Sequence, residues 1–396
     1  MSATNLRIPG PTPLPDAVRE ASSRQMVNHR GPEFKELITR VTGRLQTAFG
    51  TRNDTLILTC SGTGALEAAV VNFVSPGDPV LAVSIGSFGN RFAKIATTYG
   101  ADVTKLDAEW GHAADSDAVA NTLRQMASNG KPAKAVLLTH NETSTGVTNP
   151  LRELVAAVHD NAPDALLLID AISALGAVPF DTDAWGLDVV ATGSQKSWMA
   201  QPGVAMISVS DRAWQRNETA TMPRFYFDLG KARKSFATGE TPWTPAVGVL
   251  FGLDVALEML ERETYPAVFA RHAACADAAR AGLTAFGVAL FADPAHASQT
   301  VTAAYVPAGI EWAALNKAMK ARGLVLAGGQ DDLAGKIMRI GHLGNVSVDD
   351  VVAAIEIIGA ALTELGLPTD STAAAHAARA AAASATPERT AVAAGA

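Results

Sequence analysis

Two polar side chains stand where two apolar runs of strand length end, and they are the first candidates for chemistry. The run Leu166–Asp170 ends in a carboxylate, and Lys196 follows the run Leu187–Thr192 in a turn of Gly, Ser and Gln. Ligands of open α/β sheets bind beyond the carboxyl ends of the strands. A lysine in such a place suits an amine that loses its proton and attacks an aldehyde.

The pairing of Asp170 with Lys196 carries more weight than either residue alone. Alone, an aspartate after a strand is more often the N-cap of the next helix, and a lysine in a turn is more often an ordinary surface residue. Pyridoxal phosphate (PLP) requires both groups. The amine forms a Schiff base with its aldehyde, and the carboxylate keeps its pyridine nitrogen protonated so that the ring accepts electrons. The pair therefore predicts a PLP site.

A glycine-rich turn, Ser61–Glu67, lies between a predicted strand and a predicted helix. Its glycines permit close approach of the backbone, and the N-terminus of the helix offers free N–H groups to a phosphate. The turn is neither a Walker loop nor a GxGxxG fingerprint. On its own, an ordinary strand-to-helix connection is an equally good interpretation.

Three further segments contain side chains that suit a cofactor or a substrate. Phe88, beside a glycine at a strand end, suits stacking on a flat ring, although a core phenylalanine is an equal alternative. His140–Gly146 supplies hydroxyls after another strand, and its alternative is a turn rich in capping residues. Arg339 lies inside an apolar run and suits bidentate binding of a substrate carboxylate. Its structural alternative is an ion pair with an internal Asp or Glu.

The elements that must position these residues alternate along the first two thirds of the chain. Continuous apolar strands, separated by helical segments such as Ala65–Val74 and Leu151–His159, predict a mostly parallel sheet covered on both faces. We place this large domain at residues 20–255. The predicted strands are Thr55–Cys60, Pro79–Ser84, Ala133–Thr139, Ala165–Asp170, Leu187–Thr192 and Gly203–Val209.

The segments that follow predict a smaller α+β domain at residues 256–367. A helical stretch at Tyr265–Phe286 and a last helix at Val348–Leu365 enclose alternating apolar runs. The runs Thr300–Val306 and Lys336–Ile340 are predicted strands of this domain.

Both ends of the chain predict irregular structure. Residues 1–19 contain prolines at positions 9, 11, 13 and 15, which predict an extended or turned N-terminal segment. Residues 368–396 are rich in Ala, with Ser, Thr and Pro and without large apolar side chains. We expect a solvated, poorly ordered tail there.

The composition indicates a globular protein and disfavours several classes of function. Of 396 residues, 48% are hydrophobic and 18% charged, and the net charge of -7 provides no basic surface for nucleic acid or an anionic membrane. Two cysteines do not make a disulfide framework, and no secretory signal or membrane-spanning run is evident, so we expect a cytoplasmic protein. The eight histidines form no ligand-spaced cluster, and no metal site is expected.

Taken in order, the motifs resemble those of the class V, fold-type-I PLP-dependent aminotransferases, and within them the serine–glyoxylate and alanine–glyoxylate aminotransferases. The similarity covers nearly the whole chain to about residue 365. It implies a large domain with a mostly parallel seven-stranded α/β sheet and a smaller C-terminal α+β domain. The motifs are Pro9–Pro11, Asn28–Arg30, Ser61–Gly64, His140–Gly146, Asp170, Gly193–Lys196, Thr241–Pro245 and Gly335–Gly344.

The resemblance also implies roles for the residues around the cofactor. Lys196 would be the Schiff-base lysine and the base that moves the proton, and Asp170 would pair with the pyridine nitrogen. Phe88 would stack on the ring, where many relatives carry Trp. The residues that would hold the phosphate are Thr63, Gly64 and Gln195.

A second set of residues would face the substrate or the neighbouring subunit. Arg339 would bind the substrate carboxylate, and Gly10 and Pro11 would form a wall of the substrate pocket. Thr143 would lie near the ring hydroxyl or the substrate. Thr244 would reach the phosphate of the neighbouring subunit, so the resemblance implies a homodimer with shared active sites.

The implied reaction is PLP-dependent transamination from a small amino acid, serine or alanine, to glyoxylate, which gives glycine and a 2-oxo acid. A donor such as aspartate or ureidoglycine is the alternative within the family. A cysteine desulfurase-like lyase needs a reactive thiol on a mobile loop, which neither Cys60, ending a predicted strand, nor Cys275, in a helical stretch, suits. A non-catalytic PLP-binding protein is the remaining alternative, and the intact Lys196, Asp170 and Arg339 count against it.

Overall fold

A computed structural model describes residues 4–385 of the chain. The strands are β1 (Asn5–Leu6), β2 (Asp54–Leu58), β3 (Pro79–Ser84), β4 (Asp102–Asp107), β5 (Ala135–Thr139), β6 (Asn141–Glu142), β7 (Val147–Thr148), β8 (Leu166–Asp170), β9 (Val189–Gly193), β10 (Ala205–Val209), β11 (Val301–Tyr305), β12 (Leu324–Val325), β13 (Ala327–Gly328) and β14 (Ile337–Gly341).

Helices separate most of these strands. They are α1 (Asp16–Ser22), α2 (Pro32–Phe49), α3 (Gly62–Phe73), α4 (Ser87–Thr98), α5 (Ser116–Ser128), α6 (Leu151–Asn161), α7 (Asp211–Asn217), α8 (Leu229–Phe236), α9 (Val247–Glu263), α10 (Tyr265–Ala285), α11 (Trp312–Ala321), α12 (Val348–Glu364) and α13 (Ser371–Ala383). Within the described part of the chain, no helix is both long and apolar enough to cross a membrane.

A seven-stranded sheet in the order β2-β10-β9-β8-β5-β3-β4 forms the centre of the larger domain. Its strands are parallel except β10, which runs antiparallel to both of its neighbours. The predicted mostly parallel seven-stranded sheet is therefore confirmed.

Both faces of this sheet are covered, which explains why its strands are continuous apolar runs. In β8, Leu167 and Ile169 belong to a core cluster that includes residues of α2, α5, α6 and α9. Leu166 and Leu168 belong to a second cluster that includes residues of α3, α4, α7 and α8. Successive side chains of a strand point to opposite faces, so both sets must be apolar.

The six predicted strands of the large domain all occur, and one further strand of its seven-stranded sheet was missed. β4, Asp102–Asp107, lies at the edge of the sheet, and none of its residues is buried. Charged residues on an edge strand protect it from pairing with other chains, and they also remove the apolar signal that the prediction depended on.

The smaller domain contains the antiparallel sheet β11-β14-β13. Its core is formed by residues of α10, α11, α12 and α13 together with the inner faces of β11 and β14. The predicted strands Thr300–Val306 and Lys336–Ile340 correspond to β11 and β14, and the predicted helices correspond to α10 and α12. The domain limits at residues 20, 255 and 367 stay predictions.

The N-terminal segment is extended, as predicted, but ends earlier than expected. β1 pairs in parallel with β12, which places the segment against the smaller domain. Helix α1 begins at Asp16, directly after Pro15, so residues 16–19 of the segment are helical and not extended as predicted. Val18 and Ala21 of this helix are buried, and their packing stabilises the helix from Asp16 onward.

The expectation of a poorly ordered tail from residue 368 is wrong for Ser371–Ala383, which form helix α13. The Asp370 carboxylate caps the helix by accepting the Ala373 N–H. Ala374 and Ala378 are fully buried in the core of the smaller domain. Small side chains let helices approach closely, so this segment packs without large apolar residues. Residues 386–396, the remainder of the predicted tail, lie outside the described residues.

The packing of α13 predicts unequal effects of two identical substitutions. Ala378→Glu places a carboxylate in the buried helix interface and should lower the free energy of unfolding by about 1–3 kcal/mol. Ala380→Glu, at an exposed position of the same helix, should change it by no more than about 0.5 kcal/mol. Urea unfolding of both variants measures the difference. Equal effects would show that α13 does not contribute to the core.

Candidate active site

A cavity of about 230 Å³ opens at the carboxyl ends of the central strands. Of the eleven residues predicted for the site, eight line this cavity, and Gly64, Arg339 and Thr244 do not. The eight lining residues are Gly10, Pro11, Thr63, Phe88, Thr143, Asp170, Gln195 and Lys196. The fold therefore brings together segments that are separated by almost 190 positions in the sequence.

Asp170 ends β8 and is 3% exposed. The Ile172 N–H donates to Asp170 Oδ1 at 3.0 Å, and no cation lies within ion-pair distance of this carboxylate among the described residues. Burial raises the pKa of Asp170 to about 7, and the Ile172 N–H and the charge of Lys196 oppose that rise. A buried carboxylate with one hydrogen bond is costly, so it suits a ligand that offers a charged N–H group.

Lys196 lies in the turn after β9 and is held by the N-terminal segment. Its Nζ donates to the Pro9 carbonyl at 2.5 Å, and its own carbonyl accepts the Thr12 hydroxyl at 2.9 Å. Burial lowers the pKa of Lys196 to about 8, while Asp170 opposes the shift. About a tenth of the amine is therefore neutral at pH 7, far more than for an ordinary lysine, and nucleophilic attack requires this neutral form.

Gly10 is necessary where the N-terminal segment crosses Lys196. A Cβ atom at residue 10 would lie 2.8 to 3.0 Å from Cδ, Cε and Nζ of Lys196, and the backbone has φ +123°. The peptide bond between Gly10 and Pro11 is cis. The structure thus places the predicted wall of the pocket directly over the lysine.

The turn before α3 forms a cradle with free backbone donors. Helix α3 begins at Gly62, and the preceding Ser61 makes no side-chain capping bond. Gln195 faces the same region, and its side-chain oxygen is buried without a hydrogen-bond partner in the described residues. Gly64 packs on Cys60 instead of lining the cavity, because a Cβ there would lie 2.8 Å from Cys60 Cβ. Uncapped N–H groups at a helix N-terminus suit a phosphate.

Phe88 is the second residue of α4, and its ring lines the cavity. The guanidinium carbon of Arg91 lies 4.7 Å from the centre of this ring, and Arg91 Nη1 donates to Thr63 Oγ1 at 3.3 Å. Sequence reasoning missed Arg91 as a site residue. Its position three residues after Phe88 on a helix was the available signal, because residues three apart lie on one helix face.

Thr143 takes part in a buried hydroxyl network that the sequence analysis predicted only in part. Thr143 Oγ1 donates to Ser173 Oγ at 2.9 Å, and Asn141 Nδ2 donates to the same oxygen at 2.8 Å. Asn141 and Ser173 both line the cavity. Ser173 lies three residues after Asp170, so the loop after β8 contributes twice to the site.

Arg339 lies in β14 and is 6% exposed. Its Nε donates to the Gly328 carbonyl at 2.8 Å, and its Nη1 donates to the Thr143 carbonyl at 3.0 Å and to Gln330 Oε1 at 3.3 Å. Burial lowers the pKa of Arg339 to about 10, and the charge of Glu142 opposes the shift. No carboxylate lies within 4.0 Å of this guanidinium in the described part of the chain, so the alternative of an internal ion pair is wrong.

Thr244 is exposed and lies away from the cavity of its own chain. The neighbouring Trp243 stacks on Phe225 with ring centroids 5.0 Å apart, and Phe225 is 68% exposed. The predicted contact of Thr244 with a second subunit stays a prediction.

The match to a known family covers most of the chain. The family model described as aminotransferase class V matches residues 13–344, which include every predicted site residue except Gly10 and Pro11. Among the described residues, no group of three or more His, Cys, Asp or Glu side chains is arranged to hold a metal ion.

Curated relatives of similar length have several different names. A protein named soluble hydrogenase, small subunit, from a Synechococcus species is 44% identical over 91% of this chain and 93% of its own. A serine–glyoxylate aminotransferase from Methylorubrum extorquens is 35% identical over 89% of each chain. An L-aspartate–glyoxylate aminotransferase from Paracoccus denitrificans is 34% identical over 91% of each chain.

Solved structures of PLP enzymes superpose on the chain. Pyridoxamine–pyruvate aminotransferase from Mesorhizobium loti matches with a TM-score of 0.89 and 30% identity over 95% of this chain and 96% of its own. Ureidoglycine–glyoxylate aminotransferase from Bacillus subtilis matches with a TM-score of 0.88 and 27% identity over 96% and 97%. With the buried lysine and carboxylate at adjacent strand ends, these matches show that the chain belongs to the class V aminotransferases, whose cofactor is pyridoxal phosphate.

Proposed function

We propose that the chain transfers the amino group of serine or alanine to glyoxylate, giving glycine and a 2-oxo acid. The single observation that supports an amino-acid substrate most directly is Arg339, a buried guanidinium whose bonds in the described residues all go to neutral oxygens. A guanidinium in this state attracts a carboxylate, which it binds through two parallel N–H groups. The names of relatives at 34 and 35% identity support glyoxylate as the acceptor.

The residues around the cavity fit the cofactor. The uncapped turn at Ser61–Thr63 would hold the phosphate with Gln195, Phe88 would cover the ring, and Asp170 would hold the ring nitrogen. Bound PLP supplies an aldehyde that links to amines and a ring that accepts electrons from the adjoining carbon. Lys196 would anchor the aldehyde.

Lys196 would also move the proton. A lysine whose pKa is lowered to about 8 by burial is neutral more often than an ordinary lysine, so it would be available to accept a proton from the substrate carbon and could return it afterwards. The Pro9 carbonyl restrains its Nζ, so the amine stays on one side of the cavity. Asp170 would keep the ring nitrogen charged, because no cation of the described residues forms an ion pair with its carboxylate.

Aspartate is a second candidate donor, and a specific observation favours it. Arg91 lines the same cavity and makes no ion pair in the described residues. With Arg339 binding one carboxylate, Arg91 offers a second positive charge for the distal carboxylate of a dicarboxylic amino acid. Serine and alanine have one carboxylate each and would need only Arg339.

Two other activities have less support. Burial raises the pKa of both Cys60 and Cys275 to about 12, so neither thiol suits the attack that a cysteine desulfurase requires. The hydrogenase name of one relative has no counterpart here either. An iron–sulfur cluster typically takes four cysteine thiolates, and this chain has two cysteines.

We also propose that two copies of the chain form a homodimer with shared active sites. Thr244 and the exposed ring of Phe225 lie on one part of the surface, where Trp243 stacks on Phe225. Neither Thr244 nor Phe225 lines the cavity of the same chain. An exposed aromatic cluster is typical of protein–protein interfaces. In such a dimer Thr244 would reach the phosphate site of the partner.

The donor is tested by glycine formation from glyoxylate with serine, alanine and aspartate supplied separately to the PLP-loaded protein. We expect serine or alanine to exceed aspartate, and we expect Lys196→Ala to have no turnover with any donor. If aspartate leads instead, Arg91→Gln should raise the KM for aspartate without changing that for serine. Absence of glycine with every donor, while the absorption spectrum shows bound cofactor, would contradict the glyoxylate assignment.

The pKa of Lys196 predicts how fast the cofactor-free protein captures PLP at different pH values. Capture requires the neutral amine, so the rate should rise about tenfold per unit at low pH and level off above about pH 8. For an ordinary lysine the rise would continue to about pH 10.4. Stopped-flow absorbance after mixing with PLP measures the profile, and Lys196→Ala serves as the blank. A midpoint near pH 10 would show that burial does not activate this lysine.

Arg339→Ala should raise the KM for the amino donor about 10- to 100-fold, because charge-assisted hydrogen bonds to the substrate carboxylate are lost. Arg339→Lys retains the charge but not the fork, and it should give an intermediate KM. The PLP absorption spectrum of both variants should match that of the original protein. An unchanged KM in Arg339→Ala would assign this arginine to the structure of the smaller domain.

A further inference from the structure

Glu142 is a fully buried carboxylate for which the proposed reaction has no use. It lies three residues after β5, at the end of the short strand β6. Four donors surround it: the N–H groups of Phe88, Gly89 and Ser144, and the Ser144 hydroxyl, at 3.0, 3.1, 3.0 and 2.6 Å. No Lys, Arg or His lies within 4.0 Å of it in the described part of the chain.

These bonds cap the N-terminus of α4 with side chains from a loop that is distant in the sequence. The residue before this helix is Gly86, which has no side chain that could cap it. Ser144 Oγ accepts the Ser87 N–H at 3.0 Å, and Glu142 accepts the next two N–H groups of the helix. The first three free N–H groups of α4 are therefore satisfied by one loop more than 50 residues away.

Burial and hydrogen bonding shift the pKa of Glu142 in opposite directions, and burial is the larger influence. Burial raises its pKa, and the bonds from Ser144, Gly89 and Phe88 oppose that rise. The three backbone partners, the N–H groups of Phe88, Gly89 and Ser144, can only donate, so a proton on the carboxyl group would meet no acceptor among them. The positive end of the α4 dipole acts in the same direction.

The packing around Glu142 leaves no room for a side chain at the two glycines near the start of α4. A Cβ atom at Gly86 would lie 2.5 Å from Ser144 Oγ and 2.6 Å from Glu142 Cγ. On the other side of the turn, a Cβ at Gly89 would lie 2.8 Å from the Cα of Ser84, which ends β3. The backbone that carries Phe88 is thus held between Glu142 and the central sheet.

We propose that Glu142 is a positioning residue that fixes the ring of Phe88 over the cofactor. Its carboxylate holds the Phe88 N–H directly, and the ring of Phe88 lines the cavity in which PLP binds. The inference rests on the proposed stacking role of Phe88 and not on the identity of the amino donor. The adjoining Thr143 carbonyl accepts Arg339 Nη1, so the same loop also supports the group proposed to bind the substrate.

The test is a double-mutant cycle on cofactor affinity, measured without any substrate. Glu142→Gln retains the shape but turns an N–H₂ group toward donors, so it should weaken PLP binding at least tenfold when the cofactor-free protein is titrated. Phe88→Ala should also weaken it. In the Phe88→Ala background, Glu142→Gln should change the affinity less than twofold, because its effect passes through the ring. An equal loss in both backgrounds would overturn the proposal, as would an unchanged affinity in Glu142→Gln alone.

Two controls make the result independent of folding and of the proposed reaction. Glu153→Gln, an exposed glutamate on α6, removes the same charge and should leave PLP affinity unchanged. If Glu142→Gln fails to fold, Ser144→Ala removes one bond to the carboxylate and should show the same non-additivity with Phe88→Ala on a smaller scale. Additive effects there overturn the proposal equally. Because no amino donor is present, failure of the glyoxylate assay has no bearing on this outcome.

Discussion

Burial of an amine and a carboxylate at the ends of two adjacent strands is the constraint on which the rest of the structure depends. Asp170 is in register with Ala191 of β9, and Lys196 follows the end of that strand. Burial disfavours the charged form of both groups. Such a pair persists only if the surrounding fold is stable enough to hold it, and the two apolar clusters on the sheet supply that stability.

The two domains contribute different parts of one site. The larger domain supplies the lysine, the carboxylate and the turn suited to a phosphate, all at the same edge of its sheet. Arg339 of the smaller domain does not line the cavity, but it donates to the carbonyl of Thr143, which does. The N-terminal segment connects the two domains. The Gly341 N–H donates to the Arg7 carbonyl at 2.7 Å, while the next few residues of the segment cross Lys196. Pocket shape and charge therefore depend on contacts that no single domain makes.

The sequence predicted the parts of the fold that have strong local signals. The strands of the parallel sheet are buried on both faces and appear as apolar runs, so Asp170 and Lys196 could be placed at strand ends. β4 was missed because an exposed edge strand carries charges. The packing of α13 in the core was missed because a helix of alanines packs through close approach and not through large side chains.

The parts of the site that were missed depend on contacts between distant segments. Glu142 looked like one polar residue in a loop rich in capping residues, and only the fold shows that its carboxylate meets the start of α4. Arg91 was not singled out in the sequence, although helical spacing places it beside Phe88. Gly86 and Gly89 were visible in the sequence, but the atoms that exclude a side chain from them belong to Ser144, Glu142 and Ser84.

The pairing of β1 with β12 has a consequence for the order in which parts of the fold can form during synthesis. The first strand leaves the ribosome more than 300 residues before its partner at Leu324–Val325. At roughly 5–20 residues per second, this interval lasts on the order of 15–60 seconds. During that time the large domain can fold, but the segment that covers Lys196 has no strand to join. In the nascent chain, the N-terminal segment can therefore join the smaller domain only after Leu324–Val325 has been made.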